Sequence, residues 1–243
     1  MKKFTILIED DFEIMGNGLG NVADLQYLPA LSLMNMAEEM GIKLSFMVDV
    51  AHRLTLEKFQ KTYRNLRVQK LIWDETVLMM KERGFDVQLH LHPQWLNADF
   101  KDGYFHLSGN WNIGGYRAAE QKQLLMDSIN FLRSLLKPVS DDYEIIAFKA
   151  GSWGLQPSEK LLAGLTDFGI KIVLGVRDGL KIPAASIDYT NLEEKELAYS
   201  PDMQDITRVA SRRNGLTVIP LLSYEPGIAT LLKLSFNVVK NKL

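Results

Sequence analysis

One phrase recurs along this chain and limits the folds open to it: a helical pattern, then glycine, then a short apolar run. It reads Met40-Gly41-Ile42-Lys43-Leu44-Ser45-Phe46, then Arg83-Gly84-Phe85-Asp86-Val87-Gln88-Leu89, and a third time Phe168-Gly169-Ile170-Lys171-Ile172-Val173-Leu174. Asn214-Gly215-Leu216-Thr217-Val218-Ile219 is a weaker fourth copy. Glycine just past a helix end takes the left-handed conformation that other residues resist. The apolar, β-branched run behind it reads as a buried strand. Repeated helix–strand units of this kind predict an α/β fold with a parallel sheet.

The element order follows from the same patterns. A strand is expected over Thr5–Glu9, a helix near Tyr27–Met40, and a strand over Lys43–Val48. Long helical sequence lies between Leu56 and Arg83, and a strand over Asp86–Leu91. A loop rich in Trp, Asn and Gly (Trp95 to Tyr116) precedes a helix over Arg117–Leu136. A strand at Glu144–Phe148 leads to a helix at Ser158–Phe168, where Pro157-Ser158 is a helix-start signal. A strand at Ile170–Leu174 opens a less regular final third, with strand-like pieces near Lys195–Tyr199 and Leu216–Leu222 and a last helix over Ala229–Val239. No linker or low-complexity segment divides the 243 residues, so one domain, 1–243, is expected.

Composition removes several function classes. A net charge of −2, without basic runs, gives no pull toward nucleic acid. Cysteine is absent, which excludes disulfides, thiolate metal sites and cysteine nucleophiles. The basic start Met1-Lys2-Lys3-Phe4 is followed by acids at Glu9-Asp10-Asp11 before a signal-peptide core can form. No apolar run approaches the ~20 residues that span a bilayer. The reading is a cytoplasmic protein without membrane insertion.

Titratable residues gather where strands are expected to end: Asp10 and Asp11 after the first, Asp49 at the second, His90 and His92 at the third, Lys149 at the fourth. Parallel α/β folds keep their sites at these carboxyl ends. Residues i and i+2 of a strand share a face, so His90 and His92 leave the third strand together, and Pro93 stops it. Two neutral imidazoles and a carboxylate suit a divalent transition metal and leave positions open for water and a carbonyl oxygen. Alone, the acid pair reads equally as a helix cap and the histidines as solvent-facing; their joint occurrence at successive strand ends favours metal binding. Trp95, Trp111, Tyr116 and Trp153 fall in rim loops, where aromatics either stack on a sugar face or cover the core. His52 and His106 read as structural or exposed. The glycine-rich Met15-Gly16-Asn17-Gly18-Leu19-Gly20-Asn21 fails the dinucleotide pattern at Asn21, and Ser152 lacks a nucleophile elbow.

Ile8-Glu9-Asp10-Asp11, His90-Leu91-His92-Pro93 and Phe148-Lys149-Ala150-Gly151-Ser152-Trp153-Gly154, in that order and spacing, resemble the polysaccharide deacetylase (NodB-homology, carbohydrate esterase 4-like) superfamily over roughly residues 4 to 190. The resemblance implies a distorted (β/α)7-type barrel and metal-dependent hydrolysis of an N- or O-acetyl group on a sugar, usually with zinc. It makes Asp10 the catalytic base, Asp11, His90 and His92 the metal ligands, Lys149 the residue that orients the base, and Trp153 an aromatic lining the acetyl groove. Trp95 is a further substrate-side aromatic of the rim. Three departures stand out. Gln94 occupies the place of the usual second histidine, so His92 substitutes from the strand end. Lys149 replaces an arginine and loses its two-pronged fork. No histidine follows His106, although the family supplies a histidine acid near a late strand. The expected function is removal of acetyl from a sugar or glycan precursor in cell-surface polysaccharide biosynthesis. The alternatives are an impaired barrel that binds carbohydrate and an amidase on a non-carbohydrate substrate.

Overall fold

The computed structural model describes residues 6–222. Its strands are β1 (Glu9–Phe12), β2 (Ser45–Asp49), β3 (Asp86–Leu91), β4 (Asp99–Lys101), β5 (Tyr104–His106), β6 (Ala147–Ala150), β7 (Ile172–Leu174), β8 (Lys181–Ile182), β9 (Ile187–Asp188) and β10 (Thr217–Val218). Its helices are α1 (Leu28–Met40), α2 (Val50–Phe59), α3 (Arg64–Glu82), α4 (Ala118–Leu136) and α5 (Glu159–Asp167).

A six-stranded sheet runs β1-β2-β3-β6-β7-β10, every pairing parallel. Each strand lies beside the one that precedes it in sequence, with no reversal of order, so the sheet lacks the switch point of doubly wound folds and winds in one direction as barrels do. Among the described residues β1 and β10 are its two edges, and no strand joins them. The expected α/β character and parallel sheet are present; closure into a barrel is not seen among these residues. The expected helix at Ala229–Val239 lies outside them, as does Thr5.

Strand alternation sorts the side chains into two layers. Phe46 and Val48, Val87, Leu89 and Leu91, Phe148, and Val173 join the core beneath the helices, with Met34, Leu66, Trp73, Val77, Met80, Leu125, Ile129 and Leu162 packed there. Complete burial of each such side chain contributes roughly 1.5–3 kcal/mol. The alternate set, Met47, Asp49, Gln88, His90 and Lys149, is buried on the other face. The helix-covered face of the sheet is therefore apolar and the opposite face largely polar, and the polar face carries the site.

Four elements differ from the sequence reading, two of them with consequences for that site. The first strand begins at Glu9, where the expectation ended it, because Glu9–Phe12 pair in register with Ser45–Val48. Acids survive inside this strand because Lys149 meets two of them from across the sheet. The fourth main strand starts three residues later than Glu144: the Gln88 side chain takes the N–H groups of Ile146 (2.9 Å) and Ala147 (2.8 Å) and stands in for a ladder partner. The helical stretch Leu56–Arg83 is two helices broken at 60–63. Lys195–Tyr199 forms no strand, only a bridge from Tyr199 to Val218.

Candidate metal centre

The register of the sheet aligns the site. Asp49 stands opposite His90, and His90 opposite Lys149. Phe12 is opposite Val48, so Glu13 is the next residue in the same row. The chain turns there, the Glu13 N–H donating to the Asp11 carbonyl at 3.0 Å. Glu13, His90 and His92 are brought together, their ligand atoms all within 4.8 Å of one another. One oxygen, Glu13 Oε2, contacts both imidazoles: it lies 3.0 Å from His90 Nε2 and against His92 Nε2. The two rings are nearly perpendicular, with centroids 4.8 Å apart.

The remaining ring nitrogens are held from behind. His90 Nδ1 lies 3.0 Å from the Lys149 carbonyl, which accepts its N–H hydrogen bond, so Nε2, whose hydrogen now points at Glu13, is the nitrogen that loss of that proton would free for a cation. His92 Nδ1 lies 3.1 Å from the Gln94 carboxamide, whose oxygen is otherwise buried without a partner. A half-turn of that amide sets the oxygen on an Nδ1–H and frees the second Nε2 in the same way. Gly151 is required behind His92, because a Cβ there would come within 2.6 Å of the ring.

Asp11, expected as a ligand beside His90 and His92, lies outside this group of three. Its carboxylate lies 2.8 Å from Lys149 Nζ, which also holds Glu9 at 2.6 Å. Asp10 lies within β1, opposite Phe46, and alternation sends it to the face opposite Glu9 and Asp11. The adjacent acids are thereby separated, and the carboxylate beside the histidines is Glu13. The sequence held the signal: the i, i+2 rule that pairs His90 with His92 also pairs Asp11 with Glu13 once the strand is extended.

Of the aromatics, Trp95 is buried, only 3% exposed, with its ring 4.5 Å from His52 and 5.1 Å from Phe105. It packs against these rings because Pro93–Asn97 forms a short 3-10 segment that buries it. Trp153 is half-buried and follows Ser152 in a left-handed backbone (φ 53° and 58°), strain of the kind that gathers at functional loops. Its carbonyl accepts a 2.6 Å hydrogen bond from the Tyr189 hydroxyl. A cleft of 240 Å³ beside Gln94 is lined by Gly16, Leu107, Gly109, Trp111 and Ser152.

The electrostatics follow from this geometry. Burial alone would raise the Glu13 carboxyl, but hydrogen bonds from His90 and His92 and their charge hold it well below the usual carboxylate range. Burial alone would lower His90; its hydrogen bond to Glu13 and the charges of Asp11, Glu13 and Asp49 raise it to about 9. Burial raises Glu9 and Asp49 despite the cations near each. Glu9 Oε2, Asp11 Oδ1 and Asp49 Oδ2 are buried without hydrogen-bond partners. Four carboxylates thus face one lysine and two imidazoles, and orphaned buried oxygens of this kind call for a cation or water. Two imidazole nitrogens and a carboxylate oxygen are the donor set of an open divalent-metal site, so the residues fit a metal.

No family model matches this sequence, and no curated protein matches it. Its fold is similar to that of the crystal structure described as "putative polysaccharide deacetylase from Mycobacterium smegmatis", at 12% identity and a TM-score of 0.50. The match covers 91% of this chain and 63% of that one, so the chain spans less than two thirds of the neighbour's length. At this identity the likeness is one of fold. Among the described residues no helix is long and apolar enough to cross a membrane.

Proposed function

We propose that this protein is a metal-dependent hydrolase that removes an N- or O-acetyl group from a sugar or glycan precursor, with Glu13, His90 and His92 holding the metal. The observation that carries the reading is the single Glu13 oxygen set between two Nε2 atoms whose rings are fixed from behind. Imidazole and carboxylate ligands with an open position suit zinc. A divalent cation there would supply Lewis acidity toward a carbonyl oxygen and acidify a bound water.

The chain's own groups supply the rest. Asp11 takes the role that the adjacent-acid pattern gave to Asp10: one oxygen is oriented by Lys149, and the other is free of partners and available to accept a proton. Lys149 balances the charge of Asp11 and Glu9 and keeps both in place. The cleft beside Gln94, at 240 Å³, is smaller than the ~300–1,000 Å³ of sites for drug-sized ligands and suits an acyl group with part of a sugar ring. Trp111 and the neighbouring Trp153 give aromatic surface for that ring, while Trp95 supports the loop from beneath. The sugar itself is taken from the fold neighbour's description and from the family resemblance. An acetylated sugar on a nucleotide or lipid carrier, destined for cell-surface polysaccharide, fits such a reaction.

One observation favours a second reading, a barrel that binds carbohydrate without turnover: no histidine follows His106, and Leu216–Leu222 offers no acid for the leaving group. Metal analysis of the purified protein together with acetate release from acetylated sugars decides between them. Stoichiometric zinc, acetate release, and loss of both in His90→Ala support the hydrolase. Sugar binding without acetate release selects the binder, and absence of bound metal after zinc loading overturns the hydrolase.

A further inference from the structure

Asp49 is buried at the end of β2 and belongs to none of the roles above. Its Oδ1 accepts the backbone N–H of Ala51 at 3.2 Å, capping α2, and the backbone N–H of His92 at 3.2 Å. Its Oδ2 has no partner, although the residue is only 1% exposed. It stands in register with His90 on the polar face of the sheet, and the charges of His92, His90 and Glu13 all act on it. A carboxylate capping a helix needs one oxygen, and Asn or Ser would serve as well. A buried unpaired anionic oxygen is a cost that the cap does not explain.

We propose that Asp49 is a positioning residue for the metal: Oδ1 fixes the His92 backbone, and the unshared charge on Oδ2 strengthens the hold of the Glu13–His90–His92 group on a divalent cation. The inference rests on the metal-site reading above. Its physical basis is the outer-shell effect, in which groups that hold metal ligands in place raise their affinity for a cation; here the hold is on the His92 backbone rather than on a ring nitrogen, and the negative charge beside it adds Coulomb attraction for the cation. Asp49 is well placed for this because β2 lies between β1, which Glu13 directly follows, and β3, which carries His90 and leads into His92, and its carboxylate interacts electrostatically with all three.

The test is zinc affinity, measured by competition with a chromophoric chelator on the full chain, for wild type, Asp49→Asn and Asp49→Ala. Asn keeps an acceptor for both N–H groups and removes only the charge. The expected result is a zinc dissociation constant raised about 10- to 100-fold in Asp49→Asn, with the melting temperature of the metal-free protein close to wild type. Asp49→Ala, which also loses the cap and the His92 contact, is expected to bind at least as weakly. Should Asp49→Asn fail to fold, Asp49→Ser carries the same comparison, since serine caps a helix without charge. Wild-type zinc affinity in the folded Asn or Ser variant overturns the proposal while leaving the metal site intact. Failure of the wild type to bind zinc overturns the metal-site reading and this inference with it.

Discussion

Replacing Lys149 with methionine isolates the electrostatics of the polar face. Methionine approximates the length of the lysine stem and deletes the ammonium, leaving Glu9 and Asp11 without the cation now 2.6 and 2.8 Å away. Removing one partner of a buried ion pair costs about 3–5 kcal/mol, because the other charge stays buried and unpaired. Here the lysine side chain is 8% exposed and that of Glu9 15%, but that of Asp11 is 30% exposed, so water takes over part of its solvation. The lower end, about 3 kcal/mol, is therefore expected. For a chain of this size each kcal/mol moves the midpoint by roughly 2–4 °C, which gives a fall of about 6–12 °C. Thermal melts of wild type and Lys149→Met in chelator at pH 8 measure it directly.

The pH dependence provides a second check with a definite sign. Burial holds the folded-state Glu9 carboxyl above its ordinary 4.5 even with Lys149 present. Its contribution to stability is therefore fully present below about pH 4.5 and is lost as pH rises through the folded value. Without Lys149 that carboxyl rises further, so the variant's deficit is largest at pH 8 and shrinks toward pH 4.5. Lys149 itself is held above 10.5: burial opposes this, and Asp11 and Glu9 outweigh it. Its support is present below pH 10.5 and lost above the raised value, so the gap also closes in strong base. A midpoint change under about 2 °C at pH 8, or a deficit that grows on acidification, refutes the account of Lys149 as the neutralising centre of this face.

Gly151→Ala places a Cβ within 2.6 Å of the His92 ring; zinc affinity is expected to fall at least about tenfold, read by the same chelator competition, with a stability loss of about 1–3 kcal/mol. His52 is fully buried, and burial together with the His92 charge lowers its pKa from 6.5 to about 3. The unfolded chain therefore takes up a proton first as pH falls below 6.5, and wild type loses on the order of 2 kcal/mol from this group by about pH 4.5. His52→Leu should show a shallower acid loss in urea melts at pH 7 and 4.5. Trp95→Ala is expected to cost about 3–5 kcal/mol in stability while leaving the KM for a sugar substrate unchanged in the folded fraction; a rise in KM without loss of stability would restore Trp95 as a contact residue.

The helix–glycine–strand phrase was enough to specify a parallel sheet, because glycine at a helix end and an apolar run behind it are local requirements that chemistry imposes on neighbouring residues. His90 and His92 were legible for the same reason: alternation along one strand is a local rule, and Pro93 ends the strand wherever the rest of the chain lies. The carboxylate that meets them was not legible, because it depends on where β1 begins, and that is decided by pairing with β2 thirty-odd residues away. Extending the strand by three residues, to Phe12, turns Asp10 from its neighbour and delivers Glu13, the next residue, to the histidines. Lys149 was visible as a charge at a strand end, but its grip on Glu9 and Asp11 exists only across the assembled sheet. Trp95 reads as a rim aromatic until the turn at Pro93 folds it against His52. The sequence by itself therefore determined the sheet and the pair of imidazoles, while the tertiary structure decided which acid they meet, since register between strands is a long-range property that no local pattern carries.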